Sequence, residues 1–111
     1  MGVTKKDLFS NVQNEIAVAA KAFAHPARVA IIQHLLKANV CINGHLVQEL
    51  GLAQATISQH LRELKDIGII QGTIEGSRIS YCINPVRWEE IKGQFNGIFN
   101  QFEAPSKGDC C

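Results

Sequence analysis

The stretch LVQELGLAQATISQHLREL, residues 46–64, decides how this chain folds. Leu46, Val47 and Leu50 make a short apolar face, and Gly51 closes it, because glycine takes a left-handed helix end at no steric cost. A second short helix follows, with Ile57, Leu61 and Leu64 four and three apart on its buried side. Its polar side chains fall largely elsewhere. Two short helices joined by a tight turn, the second polar where it is exposed, can lay that second helix in the DNA major groove. The candidates for contact are Gln54, Thr56, Ser58, Gln59, His60 and Arg62. Gln59 can pair bidentately with adenine, Thr56 and Ser58 can bond phosphate or base, and Arg62 can reach phosphate or guanine. His60 is read either as a DNA contact or as a surface or half-buried histidine.

On the N-terminal side, Val40–Ile42 reads as a small strand. Before it, HPARVAIIQHLLKAN (25–39) is a helix with Pro26 in the first turn, where the missing N–H is not needed. Val29, Ile31, Ile32, Leu35 and Leu36 form its apolar face, and Asn39 is its stop. His25 reads as a cap of that helix and His34 as structural. Further back, Phe9, Val12, Ile16, Ala19 and Phe23 form one narrow helical stripe that needs a partner helix.

On the C-terminal side, Gly68 stops the second helix. Ile70 and Ile74, the turn signal Glu75–Gly76–Ser77, and the alternating Ile79, Tyr81 and Ile83 make a β-hairpin whose tip carries Arg78, a seventh DNA-contact candidate. From Pro85, a last helix repeats the narrow stripe as Trp88, Ile91, Phe95, Ile98 and Phe102. Gly93 and Gly97 weaken it in isolation, so packing must sustain it.

The fold class expected is therefore mainly α with a small β-hairpin wing: one winged helix-turn-helix domain over 1–111. It has dimerisation helices at 8–24 and 86–103, the helix-turn-helix at 44–67, the wing at 69–83 and a tail at 104–111. The 111 residues allow one domain, with 46% hydrophobic content and a formal net charge of +1. Met1–Ser10 has two lysines but no apolar run after them, and no run approaches the roughly 18 apolar residues of a membrane helix. The expectation is a cytoplasmic protein with no membrane partner, its four cysteines reduced.

The segments HPARVAIIQHLL, ELGLAQATISQHLRELKDIGII and EGSRISYCIN resemble the ArsR/SmtB family of bacterial winged-helix repressors, over about Ala22–Asn84. The resemblance implies a homodimer paired through its terminal helices, a roughly palindromic double-stranded DNA operator, and release when an inducer, often a metal or metalloid ion, binds. Two departures bear on this. The family often opens the recognition helix with serine or threonine; here Ala53 stands there, and a missing side-chain cap costs about 1 kcal/mol. Between Gly44 and Ile83, Arg62, Lys65 and Arg78 stand against Glu49, Glu63, Asp66 and Glu75, so a monomer has few groups with which to displace counterions and a dimer is needed.

Many arsenic-sensing members carry Cys-x-Cys near the helix-turn-helix, but here VCINGHL holds Cys41 alone. A zinc site on the last helix also lacks its residues: Val86–Phe102 has no histidine or aspartate to join Glu89 and Glu90. Period two sends Cys41 and Cys82 to one non-core face of the sheet, with Cβ atoms about 5 Å apart if in register. Cys110 and Cys111 end a tail able to reach about 25 Å when extended. Trivalent arsenic or antimony prefers three thiolates, so Cys41, Cys82, Cys110 and Cys111 are the candidate ligands. The inducer expected is As(III) or Sb(III), ahead of Cd(II) or Zn(II), with no cofactor required. A packing role for the strand cysteines and a redox role for the thiols stay open, as does a winged-helix protein-interaction module. An enzyme is not expected: there is no phosphate loop, no paired carboxylates and no nucleophile with a base.

Overall fold

A computed structural model describes residues 8–38, 41–43, 51–75 and 78–105. The elements in chain order are α1 (Asn11–Ala20), a 3-10 turn (Lys21–Phe23), α2 (Pro26–Ala38), β1 (Ile42–Asn43), α3 (Gln54–Ile67), β2 (Ile70–Glu75), β3 (Arg78–Ile83) and α4 (Pro85–Phe99). The short helix expected over Leu46–Leu50 lies outside the described residues, as do the hairpin tip at 76–77 and Cys110 and Cys111. Gly51, next to that segment, has φ of +69°, the left-handed conformation expected of a helix-ending glycine.

Several helix boundaries have a local cause. Ser10 opens α1 through a reciprocal capping box: its hydroxyl accepts from the Gln13 N–H at 3.1 Å, and its own N–H donates to Gln13 Oε1 at 2.9 Å. His25 caps α2, its Nδ1 accepting from the Ala27 N–H at 3.0 Å. Asn84 caps α4, accepting from the Arg87 N–H at 3.2 Å, and Pro85 fills the first turn. Ala53 gives α3 no side-chain cap. Gly68 closes α3 at φ +96°, with its N–H and that of Ile69 returned to the Leu64 carbonyl at 3.1 and 3.2 Å.

The sheet has the order β1-β3-β2, all antiparallel. Ile42 faces Tyr81 across β1 and β3, and Gly72 faces Tyr81 across β2 and β3. The core joins α2 (Ile31, Ile32, Leu35), α3 (Ile57, Leu61, Leu64), Ile69 and Ile70, Tyr81 of the wing, Ala19 and Ala22, and Ile91 of α4. The wing is thus bolted under α3 and not appended to it. β2 follows α3 after only Gly68 and Ile69, and the two elements pack against each other.

Three boundaries differ from the sequence expectation. Among the described residues the strand covers Ile42–Asn43 and leaves out Cys41, because its pairing is set by β3 and not by local β-propensity; Val40 lies outside the described residues. The first helix tightens into a 3-10 turn at Lys21–Phe23 before Pro26 starts a new one. The last helix ends at Phe99, capped at Asn100, although the apolar stripe runs on to Phe102. Among the described residues, no helix is long and apolar enough to cross a membrane.

Candidate nucleic-acid interface and thiol site

Two separate regions carry chemistry: the outer face of α3, and the junction of β1, β3 and the start of α4. On α3, Thr56, Gln59 and Arg62 are exposed, as the helical spacing predicts. Gln59 Nε2 donates to Glu63 Oε1 at 3.1 Å, one turn along the same helix. Ser58 sits elsewhere: it is 8% exposed, beside Ile57 and Leu61, and its hydroxyl accepts from Gln54 Nε2 at 2.8 Å. The apolar stripe is therefore one position wider than the spacing of Ile57, Leu61 and Leu64 implies. Gln54 and Ser58 are occupied with each other. Arg78 opens β3; its side chain is outside the described residues.

His60 is half-buried against α2. Its Nδ1 accepts from Arg28 Nε at 3.2 Å, and its ring lies 4.7 Å from that of His25, tilted by 46°. Arg28 also donates to the Lys21 carbonyl and pairs with the Glu63 carboxylate. One guanidinium thus ties the 3-10 turn, α2 and α3 together. Burial is the main cause that lowers the His60 pKa below the ordinary histidine value, with the neighbouring His25 and Arg28 charges adding to it. The lowered pKa favours the neutral imidazole, the state in which Nδ1 can accept from Arg28. Sequence reasoning missed this clamp because Arg28 and His60 are 32 positions apart.

The thiol site is where the period-two argument places it. Antiparallel register pairs Ile42 with Tyr81 and Asn43 with Ser80, so the next step outward sets Cys41 against Cys82. The facing Cys82 thiol is the first cause that holds the Cys41 pKa above the usual thiol value, ahead of burial. Cys41 is exposed and Cys82 half-buried. Gln71, across β2, points its amide nitrogen at Cys82 Sγ from 3.9 Å. Beside the pair, Leu36 of α2 and Pro85 and Trp88 of α4 wall an open cleft of about 520 Å³. Among the described residues no group of three or more His, Cys, Asp or Glu side chains comes together, so two thiols are what the sheet itself supplies.

The terminal helices leave apolar surface uncovered. Gln94 Nε2 donates to Glu15 Oε2 at 2.8 Å, and Phe23 meets Phe95 edge-on at 6.3 Å, which holds α1 beside α4. Along the two stripes only Ala19 and Ile91 are buried; Phe9, Val12, Ile98, Phe99 and Phe102 are exposed, the last two at 67% and 75%.

Residues 25–71 match the family model described as "Bacterial regulatory protein, arsR family". The chain is 34% identical over 71 residues to the HTH-type transcriptional regulator CmtR of Mycobacterium tuberculosis, which covers 64% of this chain and 59% of CmtR. It is 33% identical over 78 residues to the transcriptional repressor PagR of Bacillus anthracis, covering 70% of this chain and 78% of PagR. Among solved structures, HlyU from Vibrio cholerae superposes with a TM-score of 0.62 at 24% identity, over 85% of this chain and 98% of HlyU.

Proposed function

The chain belongs to the arsR family of bacterial regulatory proteins, and from that we propose that it is a homodimeric DNA-binding repressor, not an enzyme. It leaves its operator when a thiophilic ion such as arsenite or antimonite binds its cysteines. The observation that carries the inducer half is the facing pair Cys41 and Cys82.

The DNA half rests on the outer face of α3. Thr56, Gln59 and Arg62 are exposed to meet base edges and phosphates, Gln59 by giving up its bond to Glu63, with Arg78 of the wing as the contact beyond the recognition helix. With so few cations per chain, two chains must contribute. The uncovered stripes on α1 and α4 are the surface a second copy would bury, and two such helices per subunit make a four-helix seam. A glutamate at Val12 or Phe99, both exposed in the single chain, should leave helical content intact and give monomers in sedimentation. Tight operator binding would be lost with them.

Ion binding reaches α3 through the sheet. Drawing Cys41 and Cys82 onto one centre moves β1 against β3. β3 carries Tyr81 in the core beneath α3, and its partner β2 follows α3 after two residues. A shift at the thiols thereby becomes a rotation of the reading helix and its wing. Cys110 and Cys111 would supply the further thiolates a trigonal ion needs. Thiol protons must leave, so inducer binding strengthens as pH rises.

The test is a titration of operator-bound protein with arsenite, antimonite, cadmium and zinc, alongside C41S and C82S. Release by arsenite or antimonite that either substitution abolishes is the expected result. Release unchanged in both variants, or by none of the ions, would sink the inducer half and leave the repressor standing. The same thiol contact favours one second reading, a reversible Cys41–Cys82 disulfide formed by a mild oxidant. Full oxidation with no change in operator affinity would remove it.

A further inference from the structure

We propose that the cleft beside Cys41 and Cys82 is a two-thiol receptor for trivalent arsenic or antimony bearing one organic substituent, with that substituent seated against Leu36, Pro85 and Trp88. The inference rests on the reading of Cys41 and Cys82 as soft-ion ligands, and it names the ligand class the sheet can hold unaided.

Valence comes first. An inorganic As(III) or Sb(III) centre needs three thiolates for a closed trigonal site. The sheet presents two, facing each other across β1 and β3, and among the described residues no third His, Cys, Asp or Glu side chain forms a group with them. In an organic arsenous acid, R–As(OH)₂, carbon already fills the third position. Two thiols then complete the centre. Two S–As bonds form and two As–OH bonds break. Each thiol proton leaves with a hydroxide as water, and arsenic stays trivalent, so no oxidant or reductant is required.

The cleft comes second. A pair of thiols serving only a bare ion has no need of an adjacent apolar recess. Here the thiols lie at the edge of an open cleft of about 520 Å³, walled by Leu36, Ile83, Pro85 and Trp88. That is room for a ring against this apolar wall, with Gln71 and Glu89 lining the cleft beside it. Leu36 is 44% exposed, an apolar side chain that an organic substituent would cover. Gln71, paired with Cys82 across β2 and β3 and so on the same face, points its amide nitrogen at that sulfur from 3.9 Å. An apolar substituent gains from leaving water in proportion to the surface it buries, so affinity should rise with its size up to the width of the cleft.

The test uses the full chain carrying C110S and C111S, which leaves Cys41 and Cys82 as its thiols. Phenylarsine oxide, methylarsenous acid and arsenite are the probes. Uptake is read by intact mass, and by fluorescence of Trp88, the single tryptophan of the chain. The expected result is one phenylarsenic group per chain, quenched Trp88 emission, and retention against a competing small dithiol about tenfold or more better for phenyl than for methyl. Arsenite should be held more weakly than either. C41S or C82S should abolish the dithiol-resistant adduct. Leu36→Gln, at a position exposed enough to spare folding, should keep the stoichiometry and narrow the phenyl-to-methyl ratio. Equal retention of phenyl, methyl and arsenite would overturn the proposal, as would adducts that survive C41S. Uptake is measured without DNA, so a failure of operator control would count against the proposed function and not against this site.

Discussion

Arg28 Nε donates to His60 Nδ1 at 3.2 Å, and the same guanidinium pairs with Glu63, so α3 is fastened to the start of α2 by a single side chain. His60 was a candidate for DNA contact; its described hydrogen bond runs inward, to the scaffold. The arrangement requires a neutral imidazole with Nδ1 unprotonated.

That requirement predicts an acid-sensitive clamp. The His60 pKa is lowered in the folded chain relative to its ordinary value of 6.5, chiefly by burial. Below that value the unfolded chain takes up a proton that the folded chain resists, so stability falls as pH drops. The contribution is complete above the unfolded pKa and is lost as pH falls through the lower, folded one. Urea titrations across pH 5 to 8 should show this slope in the wild type and a flatter one in His60→Asn, whose side-chain oxygen can still accept from Arg28. At pH 8, His60→Ala should cost about 1 kcal/mol, the usual worth of one hydrogen bond. An identical slope in wild type and His60→Asn would show that His60 does not govern it.

Two glycines with positive φ should respond differently to alanine. Gly72 has φ of +134°, and an added Cβ would lie 2.0 Å from the Ser80 carbonyl oxygen and 2.8 Å from Tyr81 Cα. Gly51 has φ of +69° with nothing among the described residues within 4 Å of the same position. Gly51→Ala should cost about 1 kcal/mol, the left-handed penalty alone. Gly72→Ala adds a backbone collision to conformational strain of about 1–3 kcal/mol, and the strand pair must separate to relieve it. Thermal melts should rank Gly72→Ala well below Gly51→Ala, and equal losses would contradict the register of β2 on β3.

On α3, substitutions should sort by the side they occupy. Arg62→Ala should weaken operator binding and reduce the salt dependence by about one phosphate contact per subunit, without lowering stability. Ser58→Ala should do the reverse. Its hydroxyl is buried and holds Gln54, so its loss should cost about 1 kcal/mol of stability while the salt dependence stays unchanged. A Ser58→Ala protein of full stability but altered salt slope would place that hydroxyl on phosphate instead.

How much of this was legible in the sequence follows from the range of each signal. Period-two alternation put Tyr81 inward and Cys82 outward, and the register agrees, since each strand step reverses the face. The stop at Gly68 and the cap at His25 were legible because both act within a few residues of themselves. The inward turn of Ser58 was not, because the spacing of Ile57, Leu61 and Leu64 fixes the centre of a buried face and not its width. The Arg28 clamp was not either, since nothing local to His60 announces what α2 presents to it. Nor does an apolar stripe say where its helix stops: the last one continues to Phe102 while the backbone ends its hydrogen bonds at Asn100. Its outer part, Ile98, Phe99 and Phe102, stays exposed in the single chain, because the spacing marks an apolar face and not what covers it.

The uncapped start of α3 sets stability against DNA binding. Ala53 takes the extended backbone of an N-cap but offers no acceptor, so the first N–H groups of α3 receive no side-chain cap from it. Ala53→Ser and Ala53→Asp should both supply one and stabilise the fold by about 0.5–2 kcal/mol. On DNA the two should part. Free N–H groups at a helix start are a ready phosphate site, and a serine keeps that end of the reading helix uncharged. An aspartate sets a full negative charge at the end nearest the backbone phosphates. Ala53→Ser should therefore melt higher and bind operator about as well as the wild type. Ala53→Asp should melt higher still, because its charge also favours the positive end of the helix dipole, yet bind more weakly and lose most at low salt, where repulsion is least screened. If Ala53→Asp bound operator as tightly as Ala53→Ser at low salt, the start of α3 would not face phosphate, and the docking of its Thr56, Gln59 and Arg62 face would have to be turned.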